Sequence, residues 1–268
     1  MPEPRPADPY AAPRRVESPE GCFFYHTTDV PGHGLFEGQW DLRPGIDAYL
    51  GGVNVGGKRV LDMGAASGFL SFHLESAGAE VVSYDLSEEH SWDIVPYSGL
   101  DLAAMDRERR QHLRAINDAY WLCHTARGSR ARMVHGTVYT VPDAIGPVDA
   151  TVFGAILLHV RDPFLALHNG ARLARETVVV TEFLPPKYRL WRWLGGRFGV
   201  PQMLLPRYGK REPVDGWWIL PPPTTTEFLG ILGFEVSALT FHTQLFRGEK
   251  RPLYTIVARR VGPTSPLM

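Results

Sequence analysis

The chain has 268 residues, 44% of them apolar and 21% charged, which is the composition of a folded domain and excludes wholesale disorder. Lysine and arginine total 28 against 29 acidic residues, so the net charge of −1 gives no global electrostatic case for nucleic acid or an acidic membrane. No run of about 18 apolar residues exists, no apolar h-region opens the chain, and two distant cysteines, Cys22 and Cys123, fit a reducing cytoplasm better than a disulfide framework.

Residues 1–20 hold six prolines and no apolar period, and are expected to form a disordered or extended tail. Residues 21–57 are rich in aromatics, glycine and histidine and are expected to act as a lid or brace. Pro44 within them is placed to open a short helix ending at Leu50. The regular domain spans 58–268. Strands are expected at Arg59–Asp62, Glu80–Tyr84, Ala131–His135, Val148–Gly154 and Thr177–Phe183, with helices at Phe69–Ala77, Asp106–Arg127 and Pro163–Ala174. A helix at Thr224–Leu232 precedes strands Phe234–Phe246 and Leu253–Arg259, joined by the charged turn Arg247–Lys250. Strands alternating with helices predict a Rossmann-like, doubly wound α/β fold. The predicted sheet has seven strands, mostly parallel, with a C-terminal antiparallel hairpin. Two insertions stand outside this pattern, 86–130 and the cap 184–222.

The most informative stretch runs from Arg59 to Leu70. A strand enters a small-residue turn and then a helix, which brings backbone N–H groups close to a ligand. Asp85 stands 23 residues after Asp62, at the end of the next strand, where a carboxylate can accept from two ribose hydroxyls. A dinucleotide fingerprint aligned from Gly64 fails at Ala66 and at Phe69. Asp62 also suits an ammonium group better than a pyrophosphate.

The segment Asp62-Met-Gly64-Ala-Ala-Ser-Gly68 resembles motif I of the class I S-adenosylmethionine-dependent methyltransferases. The resemblance extends from Lys58 to Arg260 and includes Asp85, His135-Gly-Thr-Val138, the run Val152–Pro163 and the closing hairpin. It departs at Ala66, where the family often has glycine and where alanine is tolerated if φ stays negative. The resemblance implies S-adenosylmethionine as cofactor. Asp62, Gly64 and Gly68 would surround its methionine moiety, Asp85 its ribose, and Thr137 and Val138 its adenine, with Trp92 or Tyr97 as stacking partners. Gly154 and Ala155 would lie under the sulfonium, and Ala65 and Leu86 complete the set. Arg43 would meet the cofactor carboxylate or form a surface salt bridge. A weaker likeness to tRNA wobble-uridine carboxymethyltransferase-like proteins rests on Phe24-Tyr-His-Thr, Trp40-Asp-Leu-Arg43 and Trp218-Ile-Leu-Pro221. A lysine before Phe24 is missing, and His159 stands where a tyrosine is expected, which favours ordinary S-adenosylmethionine.

Methyl transfer needs a positioned acceptor and, for a hydroxyl, a general base. His159, just beyond the fourth strand of the repeating pattern, is the first candidate, followed by Glu182 and His26. His33 of the N-terminal segment is a candidate acceptor contact, as are Trp191, Trp217 and Trp218 of the cap, which also carries Trp193, Phe198 and the basic residues Arg189, Arg192, Arg197, Arg207, Lys210 and Arg211. No metal-ligand spacing occurs. Three readings follow: methylation of a small-molecule hydroxyl, modification of RNA through the arginines of the cap and of 107–114, and cofactor binding without transfer. An exposed apolar face on the cap would serve a homodimer equally well.

Overall fold

A computed structural model describes residues 8–185, 188, 202–203 and 215–266. The central sheet is built outward from β4 (Arg59–Met63), whose side chains are buried from Val60 onward on both faces, as a central parallel strand requires. Parallel partners β5 (Glu80–Asp85) and β6 (Arg132–His135) lie on one side of it, and β7 (Val148–Gly154) and β8 (Ala174–Phe183) on the other. The chain therefore reverses its direction of travel between β4 and β7. That reversal leaves a crevice beyond the carboxyl ends of these two strands, where open α/β sheets take ligands.

Strands β11 (Phe234–Phe246) and β12 (Glu249–Arg260) form the hairpin, with β12 wedged antiparallel between β11 and β8. The turn is tighter than the charged four-residue segment suggested. Phe246 pairs with Glu249, and Arg247 and Gly248 both take positive φ, 50° and 76°. This is the combination that matches the twist of a two-residue hairpin.

Among the described residues the sheet has eight strands, not the seven expected. Trp40–Asp41, as β3, pairs with Phe246 and Leu245 of β11 and extends the far edge. Two residues are too few to show an alternating pattern, so the strand was invisible as a period. Nearby, β1 (Thr28–Val30) and β2 (Gly34–Phe36) form a small hairpin apart from the main sheet. Residues 43–49 wind into a short 3-10 turn followed by α1 (Ile46–Tyr49), as Pro44 led us to expect. A further two-residue strand, β10 (Trp218–Ile219), pairs with β9 (Gln202–Met203). Residues 8–20 run without regular structure, tied down where the Ala11 N–H donates to the Met133 carbonyl (2.8 Å) and Arg14 pairs with Glu88 and Asp118.

Helices α2 (Phe69–Ser76) and α3 (Leu102–Arg127) pack with the N-terminal segment on one face of the sheet. The other face is covered by α4 (Pro163–Ala171) and α5 (Pro222–Ile231). Although α3 lies within an expected insertion, Tyr120, Ala119 and Leu122 are core residues. It starts four residues before the expected Asp106, because the Asp101 carboxylate accepts the Ala104 N–H at 2.9 Å and caps it. No described helix is long and apolar enough to cross a membrane.

Candidate active site

The loops at the carboxyl ends of the strands enclose a cavity of about 690 Å³, within the range of nucleotide-sized pockets. Gly64 and Ala66 supply its wall after β4, Asp85 and Leu86 after β5, Gly136 to Tyr139 after β6, and Gly154 to Ile156 after β7. The glycines are there for space. A Cβ on Gly64 would meet Ile156 Cδ1 at 2.8 Å, and one on Gly136 would meet Tyr84 Oη at 2.3 Å. Helix α3 closes the outer side with Arg109, His112, Leu113, Ile116 and Asn117. Its Asn117 amide donates to the Leu86 carbonyl at 3.1 Å and fixes the loop after Asp85.

Asp85 accepts the Ala66 N–H at 2.5 Å on one carboxylate oxygen and the Leu86 N–H at 2.7 Å on the other. Burial pushes its carboxyl up to about 6 against the pull of those two donors. Ala66 corrects the expectation of negative φ, standing at +47°. The turn requires a left-handed residue there so that its N–H points at Asp85. Among the described residues, Ala66, Ala155 and Arg247 are the three non-glycine positions with positive φ, and all three line this cavity. Strained backbone of this kind concentrates where a ligand is held.

Asp62, Ala65 and Gly68 lie beneath the turn and do not line the cavity. The Ala65 N–H donates to the Tyr84 carbonyl, and Gly68 packs against Phe72 and Tyr120. Asp62 is fully buried at the end of a hydroxyl chain in which Tyr120 donates to Ser83, Ser83 to Ser71, and Ser71 to Asp62 Oδ2. Its Oδ1 has no partner, and burial pushes the carboxyl up to about 7. This orphaned acceptor lies under the turn, outside the lining of the cavity.

A second, smaller chamber of about 110 Å³ adjoins the first. Tyr25, Gly154, Ala155, His159 and Phe246 border both. The smaller one adds His26, Trp40, Tyr49, Leu158 and Phe183, so its wall is mostly aromatic. His159 sits at this junction on the turn after β7. Its Nδ1 lies 2.6 Å from the Asp215 carbonyl, an oxygen that can only accept. Nδ1 therefore carries the proton of the neutral ring, and Nε2 is the nitrogen left to take one.

The other expected residues have different places. Glu182 is buried and borders neither chamber; it accepts the Leu157 N–H at 2.7 Å and so anchors the turn that carries His159. His26 borders the smaller chamber with Nδ1 unpartnered, and burial pushes it down to about 3. Arg43 is absent from both walls, because its guanidinium is drawn to Asp41 at 2.7 Å. His33 caps the β1–β2 turn, exposed to solvent. Trp217 and Trp218 are braces, their indole N–H groups donating to the carbonyls of Asp93 and Arg161. Trp92 does line the larger cavity, with the Arg109 guanidinium 4.7 Å above its ring. Trp191 and the basic residues of the cap lie outside the described residues. In the helix cluster, Arg109 pairs with Asp215 and Arg110 with Asp106.

Sequence reasoning missed Tyr25, Gln39, Tyr139, Phe246 and Arg247, which border the larger cavity. The aromatic run at Phe23–Tyr25 was a signal for the first of these. No local signal marks Arg247, which arrives through the pairing of β3 with β11.

Neither a protein-family model nor a curated protein sequence matches the chain. Solved structures do. The N-terminal domain of EvdMO1, determined in the presence of S-adenosylhomocysteine and D-fucose, is 17% identical and superposes with a TM-score of 0.52, over 87% of this chain and 90% of its own. A S-adenosylmethionine-dependent methyltransferase from Methanosarcina mazei is 18% identical with a TM-score of 0.51, over 82% of this chain and 99% of its own. With the strand order, the reversal at β4 and β7 and the wedged hairpin, the chain has the fold of the class I S-adenosylmethionine-dependent methyltransferases.

Proposed function

We propose that this protein is a S-adenosylmethionine-dependent methyltransferase that methylates a hydroxyl group of a small-molecule acceptor. The observation that carries the reading is the meeting of a nucleoside-sized cavity and a small aromatic chamber at Gly154, Ala155 and His159. Asp85 would accept from the ribose hydroxyls, and Thr137 and Val138 would flank the adenine. The turn at Gly64 and Ala66 would pass the methionine moiety, with the Asp62 carboxylate as counter-charge to its ammonium. When bound, this cofactor supplies a methyl group on a sulfonium, whose transfer forms an oxygen–carbon bond to the acceptor, breaks the carbon–sulfur bond and leaves a neutral thioether.

The chain itself has two tasks. The aromatic chamber takes the acceptor out of water and holds it against Gly154 and Ala155. His159 Nε2 takes the hydroxyl proton as the oxygen bonds to carbon, while the Asp215 carbonyl holds Nδ1–H and steadies the imidazolium that forms. Glu182 holds the backbone of that turn.

Turnover with hydroxyl-bearing small molecules, read as S-adenosylhomocysteine formed, tests the reading. His159→Gln is expected to lower kcat by about 10²- to 10⁴-fold, the range for a general base, with S-adenosylhomocysteine affinity unchanged. Transfer confined to amines, and indifferent to His159→Gln, would contradict a hydroxyl acceptor.

A further inference from the structure

Of the two arginines that border the larger cavity, Arg109 is paired with Asp215 at 3.5 Å. Arg247 has no acidic partner among the described residues. Its side chain is exposed at the tip of the hairpin, and its backbone is tied to the N-terminal segment. Its N–H donates to the Gln39 carbonyl at 2.7 Å, and its guanidinium lies 5.2 Å from the centre of the Phe246 ring. Its backbone sits at φ +50°, a conformation that costs a residue with a Cβ about 1–2 kcal/mol and that glycine or asparagine adopts with less strain. Phe246, directly before it, borders both chambers. The unpaired cation thus stands beside Phe246, a ring that borders the aromatic chamber together with His159.

The sheet order says which ligand this cation faces. Asp85 and Thr137–Val138 follow β5 and β6, on one side of β4. The hairpin carrying Arg247 lies on the opposite side, beyond β7 and β8. It reaches the crevice from the acceptor's side and away from the nucleoside end. The chamber, at about 110 Å³, is of the order of cavities that enclose a single benzene-sized ring.

We infer that the acceptor is an aromatic hydroxy acid, its ring enclosed by Tyr25, Trp40, Phe183 and Phe246, its hydroxyl at His159 and its carboxylate on the Arg247 guanidinium. A planar fork of donors suits a carboxylate, and the aromatic wall suits the ring. The inference rests on the methyltransferase reading above and makes Arg247 the residue that sets acceptor specificity.

The test uses the full chain with S-adenosylmethionine and four acceptors, para- and meta-hydroxybenzoate and their uncharged methyl esters. S-adenosylhomocysteine binding is measured in parallel by calorimetry. At least one hydroxybenzoate is expected to exceed its ester in kcat/KM by about 10- to 100-fold, the value of a hydrogen bond to a charged group. Arg247→Asn tolerates the positive φ of the turn and should erase that preference, chiefly through a higher KM, with S-adenosylhomocysteine affinity held within about twofold. Arg247→Lys should retain part of it. Esters methylated as well as acids would overturn the inference, as would binding of S-adenosylhomocysteine with no transfer to either acid. Weakened S-adenosylhomocysteine binding in Arg247→Asn would overturn it too, by assigning the arginine to the cofactor. Failure of the wild-type chain to bind S-adenosylhomocysteine at all would instead remove the methyltransferase reading beneath it.

Discussion

Ala66 holds an N–H toward Asp85 by adopting a conformation that glycine takes freely. Removing its Cβ relieves about 1–2 kcal/mol of left-handed strain and returns about 0.5–1 kcal/mol of flexibility to the unfolded chain. Ala66→Gly is therefore expected to be neutral or to stabilise by up to about 1 kcal/mol in urea unfolding; a loss larger than that would show the methyl group to be a packing contact. Asp62 makes a sharper prediction. Its carboxyl rests near 7 in the folded chain, against about 4 when unfolded. Between those values the folded chain keeps a proton that the unfolded chain has lost, so raising the pH favours unfolding. The wild type is expected to lose stability relative to Asp62→Asn from pH ~4 to pH ~7, with the difference level above that. Parallel unfolding curves across this range would mean that Asp62 is ionised throughout. From the sequence this aspartate was expected beside an ammonium group. The sequence did not show that Ser71 alone would bond it, at the end of a relay of hydroxyls in full burial, because Ser71, Ser83 and Tyr120 come together from three different elements.

Elements that repeat strongly were legible, and those fixed by pairing with something remote were not. The five parallel strands and the later part of β12 carry short apolar runs that are buried together, and their identities follow from that pattern. The N-terminal segment has no period because its constraint is tertiary. Ser67 Oγ, buried beneath the glycine-rich turn, accepts the Tyr25 N–H at 3.1 Å and the His26 N–H at a longer 3.5 Å. Gly38 lets β3 approach so closely that a Cβ there would lie 2.3 Å from the His26 carbonyl carbon. The segment is thus fastened to the motif that shapes the larger cavity. Ser67→Ala leaves a buried N–H unsatisfied and is expected to cost about 1–3 kcal/mol. Hydrogen exchange should quicken over residues 21–40 with β4 unaffected. Uniform exchange rates in both proteins would show that the serine does not fasten the segment.

At the scale of the whole molecule, the site is made where three parts of the chain meet. Loops after β4, β5, β6 and β7 form the larger cavity, α3 closes one side, and the N-terminal segment with the hairpin turn closes the other. The loop contribution was readable, because Gly64, Asp85 and Gly154 each stand at the carboxyl end of a strand visible as an apolar run. The aromatic chamber was not, since Tyr25, Trp40, Phe183 and Phe246 are neighbours only after the sheet has formed. The expected tryptophan contacts at 217 and 218 turned out to be braces for the same reason. An indole N–H bound to a backbone carbonyl looks, in sequence, like any other indole. The central claim is that the crevice between β4 and β7 holds a S-adenosyl cofactor, and calorimetric titration with S-adenosylhomocysteine, with NAD as control, tests it most directly. Micromolar binding is expected, weakened at least about tenfold by Asp85→Ala, the loss of hydrogen bonds to a charged acceptor. No binding by the folded wild-type protein, or binding of NAD in its place, would contradict the account.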